Sequence, residues 1–208
     1  GKIFLTDAIK ASRAVIQHET LNHMMVLQSL GCKAINDKIE IEIPEYIINK
    51  TISKINFNKS KKNLIICPFG SYNKKNLEIK EYSKIIQALS DKFDIYIIGG
   101  KKEETELKLL AEQAGLDSEK VLAGTLNLQE LSALIKISTV LLSVDTGPMH
   151  IAQGVNTPVV ALFGPTDPAV WGPRNSHDYI IYKNIECSPC WGKGTCEDNI
   201  CMEKIDAI

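Results

Sequence analysis

No long run of lysine or arginine occurs in the 208 residues, and 24 Lys and Arg against 25 Asp and Glu leave a formal net charge of -1. The electrostatic footprint of a general nucleic-acid binder is therefore missing, and the short Lys-Ser-Lys-Lys stretch at 59–62 reads as a solvated loop. Long apolar runs are missing too. Stretches such as 139–144 and 159–163 fall far short of the roughly 20 residues that cross a bilayer, so no transmembrane helix is expected. The first residues, Gly1 to Asp7, carry neither a sustained apolar segment nor a cleavage signature and lack an initiator Met, which suggests a processed or truncated chain. The expectation is a cytoplasmic protein, with a peripheral place at the inner membrane left open. Cysteine is scarce over most of the length: Cys32 and Cys67 stand alone, while Cys187, Cys190, Cys196 and Cys201 crowd near the end. That asymmetry argues against a chain-wide disulfide framework and for one local cysteine site.

What is present suffices for one sizeable core, with 44% hydrophobic and 24% charged residues. Residues 12–30 place Val15, Leu21, Met24, Met25, Leu27 and Leu30 on a mostly helical spacing that stops at Gly31. At 38–43, Ile39, Ile41 and Ile43 alternate with charged residues and Pro44 follows, which predicts a half-buried strand. The polar stretch 56–63 reads as a linker. From there apolar segments at 64–67, 95–98, 121–122, 140–144 and 159–163 alternate with helical patterns at 78–89, 101–114, 128–137 and around 150–154. Strands apolar throughout and separated by amphipathic helices predict an α/β fold, a Rossmann-like doubly wound parallel sheet. The predicted organisation is a partial N-terminal segment with an interdomain helix (1–58), the sheet domain (59–185) and a Cys-rich tail (186–208). Ligands of such sheets sit beyond the carboxyl ends of the strands, which directs attention to the loops 68–75, 99–104, 123–127, 145–150 and 164–173.

The most informative loop is Ser143-Val144-Asp145-Thr146-Gly147-Pro148-Met149-His150, where a strand runs through an Asp-Thr-Gly turn into a helix. Free N–H groups and the helix dipole there suit a phosphate, and the Asp145 carboxylate suits sugar hydroxyls. Capping by Asp145 or Thr146 is the plain alternative. His150 lies on the first turn of that helix, within reach of the same phosphate or sugar, whereas His18, His23 and His177 read as structural. Gly99 and Gly100 would let a ligand approach the backbone. Glu103 and Glu104 follow them, either to hold ribose hydroxyls or simply to complement a helix N-terminus. In the tail, the spacing C-x2-C-x5-C-x4-C over Cys187, Cys190, Cys196 and Cys201 is compatible with one tetrahedral structural zinc. Free thiols and local disulfides stay open beside it, and the longer second spacing weighs against the metal.

The run D-T-G-P-M-H-I-A-Q-G-V-N-T-P-V-V-A-L-F-G-P-T-D-P-A-V-W-G-P from Asp145 to Pro173 resembles the signature of glycosyltransferase family 9, which includes the ADP-heptose:lipopolysaccharide heptosyltransferases. Cys67-Pro68-Phe69-Gly70-Ser71 resembles that family's strand-to-loop element, and Lys74-Lys75-Asn76-Leu77 stands where it has Lys-x-Trp-Pro, with Trp and Pro missing. The resemblance implies a GT-B fold of two Rossmann-like domains, of which this chain is the C-terminal, donor-binding one. It assigns Ser71 and Lys75, or Lys74 in its stead, to the donor pyrophosphate, and Glu103 or Glu104 to the ribose. Ala123-Gly124-Thr125-Leu126 would face the nucleobase, and Asp145, Thr146, Gly147 and His150 the phosphate and sugar.

The implied activity is inverting transfer of heptose from ADP-heptose to the lipopolysaccharide inner core. Lys75 and the N–H groups of Thr146 and Gly147 would stabilise the departing diphosphate, and no metal or other cofactor is required. The implied partners are a nucleotide-sugar donor, the lipopolysaccharide core acceptor and an N-terminal domain that supplies the catalytic base. No residue of this chain matches that base. Two rival readings are a non-catalytic nucleotide-sugar-binding module and a sugar-nucleotide epimerase of related architecture.

Overall fold

Leu64, Ile66 and Leu142 face one apolar cluster, and their neighbours Ile65, Cys67 and Leu141 face another. Successive side chains of a strand point to opposite faces, so a strand buried on both sides requires a layer of structure above and below it. The computed structural model of the chain, which describes residues 16–33, 36–193, 196 and 198–205, supplies both layers. Six strands, β1 (Asn63–Cys67), β2 (Asp94–Gly99), β3 (Val121–Ala123), β4 (Val140–Val144), β5 (Val159–Phe163) and β6 (Tyr179–Tyr182), form one sheet in the order β3-β2-β1-β4-β5-β6. Every pairing is parallel. The chain is thus a Rossmann-like doubly wound α/β fold.

After α1 (Glu19–Ser29) and α2 (Glu45–Ile55), the sheet helices are α3 (Ile79–Leu89), α4 (Glu104–Ala114), α5 (Leu128–Ile137) and α6 (Gly147–Gly154). Tyr82 and Ile86 of α3 and Leu107 and Leu110 of α4 enter the first cluster. Leu134 and Ile135 of α5, Met149 and Ala152 of α6, and Ile52 and Ile55 of α2 enter the second. Two short helices close the fold: α7 (Pro168–Trp171) and α8 (Ile200–Glu203), whose Cys201 and Met202 are buried against the sheet. Among the described residues no helix is long and apolar enough to cross a membrane.

The first 60 residues depart most from expectation. The helix predicted over 12–30 begins at Glu19, where the His18 ring nitrogen Nδ1 accepts the Thr20 N–H at 3.3 Å; residues 12–15 lie outside the described set. Residues 38–43 are extended but form no strand. Ile41 N donates to the Gly154 carbonyl at 2.7 Å, and Ile41 and Ile43 pack on the second cluster while Glu40 and Glu42 stay exposed. The alternation is that of a segment lying across the end of α6, and Gly154 has no room for more: a Cβ there would come within 2.6 Å of Ile41. The sequence reading also passed over α2, although Ile47, Thr51 and Ile55 repeat at the four-residue spacing of one helical face, with Ile47 and Thr51 buried.

α2 is fixed to α5 by charge. Glu130, 3% exposed at its side chain, meets Lys54 Nζ at 2.7 Å and Lys50 Nζ at 3.2 Å. It also accepts the Asn127 N–H at 3.1 Å while Asn127 Oδ1 accepts the Glu130 N–H, a reciprocal cap at the start of α5. The Lys54 ammonium, followed by the Asn127 N–H, holds the Glu130 carboxyl down at about 2. A carboxyl depressed on folding contributes stability above its unfolded value, about 4.3, and loses that contribution as pH falls towards 2. The urea midpoint should accordingly drop between pH 4.5 and 2, and drop less steeply in Lys54→Met. Superimposable pH profiles for the two proteins would refute this account.

Candidate functional site

Strand order reverses direction at β1 and β4: β1 leads to α3 on one face and β4 to α6 on the other. The loops leaving these strands therefore part, and a crevice opens between them. After β1 the chain makes a 3-10 turn over Asn73–Lys75, and Asn76 Oδ1 accepts the Gly70 N–H at 2.8 Å, tying the loop into a ring. The Lys75 stem crosses Gly70, and its Nζ lies 2.7 Å from Asp145 Oδ2 and 3.2 Å from the Asp145 carbonyl. Asp145 is 6% exposed and Lys75 19%. An ammonium has three protons; Asp145 occupies two of them and leaves one for a ligand.

Beside this pair α6 begins. Thr146 is its N-cap with no side-chain hydrogen bond to the helix, Gly147 is exposed and Pro148 follows in the first turn. These N–H groups carry the positive end of the helix dipole. The adjoining cleft, about 450 Å³, runs across the carboxyl ends of β1 to β4 and is lined by Ser71, Glu103 and Thr146 with Phe69, Leu126 and Leu131 among its apolar walls. Glu103 Oε2 accepts the Gly100 N–H at 2.6 Å. Gly124, at φ +61, donates to the Gly99 carbonyl at 2.9 Å and lies so close to the Lys101 backbone that a Cβ would clash. Glycine is required at that turn, which locks the loops after β2 and β3 together.

Of the residues singled out from the sequence, Ser71, Glu103, Leu126 and Thr146 line the cleft, and Lys75, Asp145 and Gly147 adjoin it. Between the two lysines, geometry brings Lys75 to Asp145. Glu104 does not reach the cleft: it is bound to Lys101 and to Lys108, the latter at 2.9 Å, and these ammonium groups hold its carboxyl at about 2. Thr125 is exposed outside the lining, and its carbonyl accepts from Lys54 Nζ at 2.8 Å. His150 is half-buried and is not among the lining residues; its Nδ1 lies 3.2 Å from Gln153 Oε1 and its ring is edge-on to Trp171. His18 is structural in its contacts, with Nε2 2.9 Å from the Gly172 carbonyl, and burial lowers its pKa. Sequence reasoning missed the apolar floor, Ile98, Leu122 and Leu128. Its one signal was the position of the first two at the ends of their strands.

The four tail thiols lie near one another, close enough for Cys187, Cys190 and Cys196 to act on Cys201. None of Cys187, Cys190, Cys196 and Cys201 is in a disulfide, and among the described residues no three His, Cys, Asp or Glu side chains are arranged to hold a metal. Cys187 is exposed, whereas Cys201 is buried with Met202 over Gly164. Desolvation, followed by the charges of Cys190, Cys196 and Cys187, raises the Cys201 thiol pKa.

The family description "Glycosyltransferase family 9 (heptosyltransferase)" matches residues 5–201. Among curated proteins, the chain is 27% identical over 199 residues to lipooligosaccharide heptosyltransferase 2 of Campylobacter jejuni, covering 91% of this chain and 61% of that protein. It is 31% identical over 124 residues to lipopolysaccharide core heptosyltransferase OpsX of Haemophilus influenzae, covering 59% and 36%. Among solved structures, the glycosyl transferase family 9 protein of Veillonella parvula aligns with a TM-score of 0.75 at 22% identity over 86% of this chain and 53% of that one. E. coli heptosyltransferase WaaC with ADP aligns at 0.61, 21% identity, 82% and 52%. TibC of enterotoxigenic E. coli, described as iron-containing, aligns at 0.55 and 16% identity over 71% and 43%. The structural likenesses bear on the fold. The chain spans from about a third to three fifths of the length of these relatives.

Two measurements test the site's chemistry. Removing one partner of a largely buried pair strands the other, at a cost of about 3–5 kcal/mol, so Lys75→Ala and Asp145→Ala should each destabilise strongly and the double substitution should cost less than their sum in urea unfolding. Strict additivity would mean that the pair does not form. Burial pushes the Cys67 thiol up to about 12, so a water-soluble disulfide reagent at pH 8 should modify exposed Cys32 and Cys187 and leave Cys67 until the protein unfolds.

Proposed function

The chain belongs to glycosyltransferase family 9, and on that premise we propose that it is the donor-binding, C-terminal half of an inverting heptosyltransferase that moves heptose from ADP-heptose to the lipopolysaccharide inner core. The observation that carries this reading is the meeting of Lys75 and Asp145 at the β1–β4 switch, beside the start of α6 and an apolar cleft. A nucleotide sugar has three chemically distinct parts, and the cleft offers three distinct surfaces. Leu126, Leu131 and Ile98 suit an adenine ring. Glu103, held by the Gly100 N–H, suits ribose hydroxyls. Lys75, Ser71 and the N–H groups of Thr146 and Gly147 suit the diphosphate, and Asp145 both orients Lys75 and lies next to the place of the sugar. His150, Thr125 and Glu104 would touch donor only after their present contacts rearrange.

In the reaction the bond from the anomeric carbon to the diphosphate breaks, and negative charge grows on the departing oxygens. An ammonium already anchored by Asp145, with N–H groups at a helix start, stabilises that charge without reorganising at the moment of transfer. The acceptor hydroxyl must lose a proton to a base, which we place in the part of the longer relatives that this chain does not span. No step is routed through a metal. Within the chain, residues 59–185 form the nucleotide-sugar domain of this proposal, with 1–58 linking it to the acceptor side and 186–208 as a tail. The proposed setting is the cytoplasm, peripheral to the inner membrane where the acceptor resides.

Calorimetric titration with ADP, ADP-heptose, UDP, GDP and adenosine tests the reading. Adenine nucleotides should bind best, and Lys75→Ala should weaken ADP about tenfold, the worth of one charge-assisted contact, while leaving adenosine nearly unchanged. Equal or absent binding of all five would sink it.

A further inference from the structure

The Cys-rich tail is remote in sequence from the loop after β1, yet it touches that loop at two points. Asn199 Nδ2 donates to the Asn76 carbonyl at 3.3 Å, and the Tyr72 hydroxyl donates to the Gly192 carbonyl at 3.4 Å. Gly192, at φ +71, lies flat against the Tyr72 ring, where a Cβ would come within 2.8 Å. The far side of the tail is anchored to the sheet: Trp191 N donates to the Pro165 carbonyl at 2.8 Å, and Cys201 and Met202 are buried over Gly164. Asn199 itself sits in the left-handed region, at φ 47, as the N-cap of α8, and its carbonyl accepts from Met202 N. Its backbone is thus fixed by α8, its Oδ1 accepts from Cys201 Sγ at 3.9 Å, and its Nδ2 serves the other loop.

We propose that Asn199 is a positioning residue for the donor diphosphate, acting through Asn76 on Lys75. Asn76 is the hinge of the arrangement. Its carbonyl takes the Asn199 amide, its own side-chain oxygen takes the Gly70 N–H at 2.8 Å, and it directly follows Lys75. The Lys75 stem passes over Gly70 on its way to Asp145. Holding Asn76 therefore holds both the backbone from which Lys75 springs and the glycine it crosses. A lysine side chain has many rotamers to lose, and a rigid base for it reduces what must be lost on binding an anion. On this view the tail contributes to recognition without a metal: its helix α8 is the pedestal and Asn199 the strut.

The inference rests on the cleft being a nucleotide diphosphate site, and the test separates the two ideas by using ADP and adenosine, which share the base and ribose but not the phosphates. Asn199→Gly keeps the left-handed backbone and removes the amide; Asn199→Asp keeps the shape and turns an oxygen toward the Asn76 carbonyl. Both should weaken ADP about fivefold, the worth of one hydrogen bond, with adenosine affinity unchanged. Asn76→Ala should do the same, and Asn76→Asp, which retains an acceptor for Gly70, should recover most of the loss. Wild-type ADP affinity in both Asn199 variants, alongside a loss in Lys75→Ala, would overturn the strut and leave the diphosphate site standing. A parallel fall of ADP and adenosine affinity with the melting temperature would overturn it as well, since the tail would then support only the fold. If the unaltered chain binds neither compound, the diphosphate site is wrong and the strut falls with it.

Discussion

Parallel pairing of β1 with β4, in the register Leu64 with Val140 through Cys67 with Ser143, sets where everything else goes. A parallel strand must return by a crossover, and the crossovers on either side of this pair take opposite faces of the sheet, α3 on one and α6 on the other. Two loops leaving adjacent strands in opposite directions leave a gap that no side chain of the core can fill. Lys75 reaches across from the β1 loop to the carboxylate and carbonyl of Asp145 on the β4 loop, so polar contacts spanning the gap join its two walls. Had the strands been arranged in sequential order, these loops would have run side by side and the gap would have closed.

Charge is used sparingly inside this frame, and at matching places. Lys54 and Glu130 fix the apolar wall of the cleft through α2, and Lys75 and Asp145 fix its charged wall. Neither pair is a strong argument for stability, because desolvation offsets much of the attraction. Their effect is to hold loops. Lys54 also donates to the Thr125 carbonyl, so the turn bearing Leu126 is held from outside the cleft, as the turn bearing Lys75 is held by Asn76 and Asn199. Both walls are thus braced from behind, and their cleft-facing groups stay available for a ligand.

The central α/β pattern was legible because its residues obey one period at a time. β4, β5 and α5 fall where uniform apolarity or a single amphipathic stripe predicts them. Legibility failed where one signal had two physical causes. The Ile39-Ile41-Ile43 alternation fits any extended segment with one buried side, and only the docking on Gly154 distinguishes a covering strap from a strand. α2 is hidden by the same ambiguity, since a proline fits the end of a strand as well as the N-cap that Pro44 supplies to this helix. β6, an edge strand with Tyr179 and Ile180 exposed, carries neither clean alternation nor a buried run. In the site, Asp145-Thr146-Gly147 was legible from its turn chemistry. The choice between Glu103 and Glu104 was not, because it depends on which carboxylate Lys101 and Lys108 capture. The cysteine spacing likewise records which thiols are near in sequence, whereas the burial of Cys201 against the sheet is a tertiary fact.

The division of the cleft into an apolar part and a charged part has a consequence for catalysis. Under the proposed function, contacts with a nucleobase do not change as the glycosidic bond breaks, so Leu126, Leu131 and Ile98 would stabilise bound donor and transition state alike and could not by themselves raise the rate of the bound complex. The charged wall would differ, because charge on the diphosphate increases along the proposed reaction and Lys75 and the start of α6 lie on that wall. The strongest positional control in the cleft falls on this wall: a loop closed on itself by Asn76, crossed by the lysine stem, tied to the opposite loop through Asp145 and braced by Asn199. Rigidity is concentrated where the electrostatic demand grows, which is the arrangement expected if the proposed chemistry is what this fold was selected to perform.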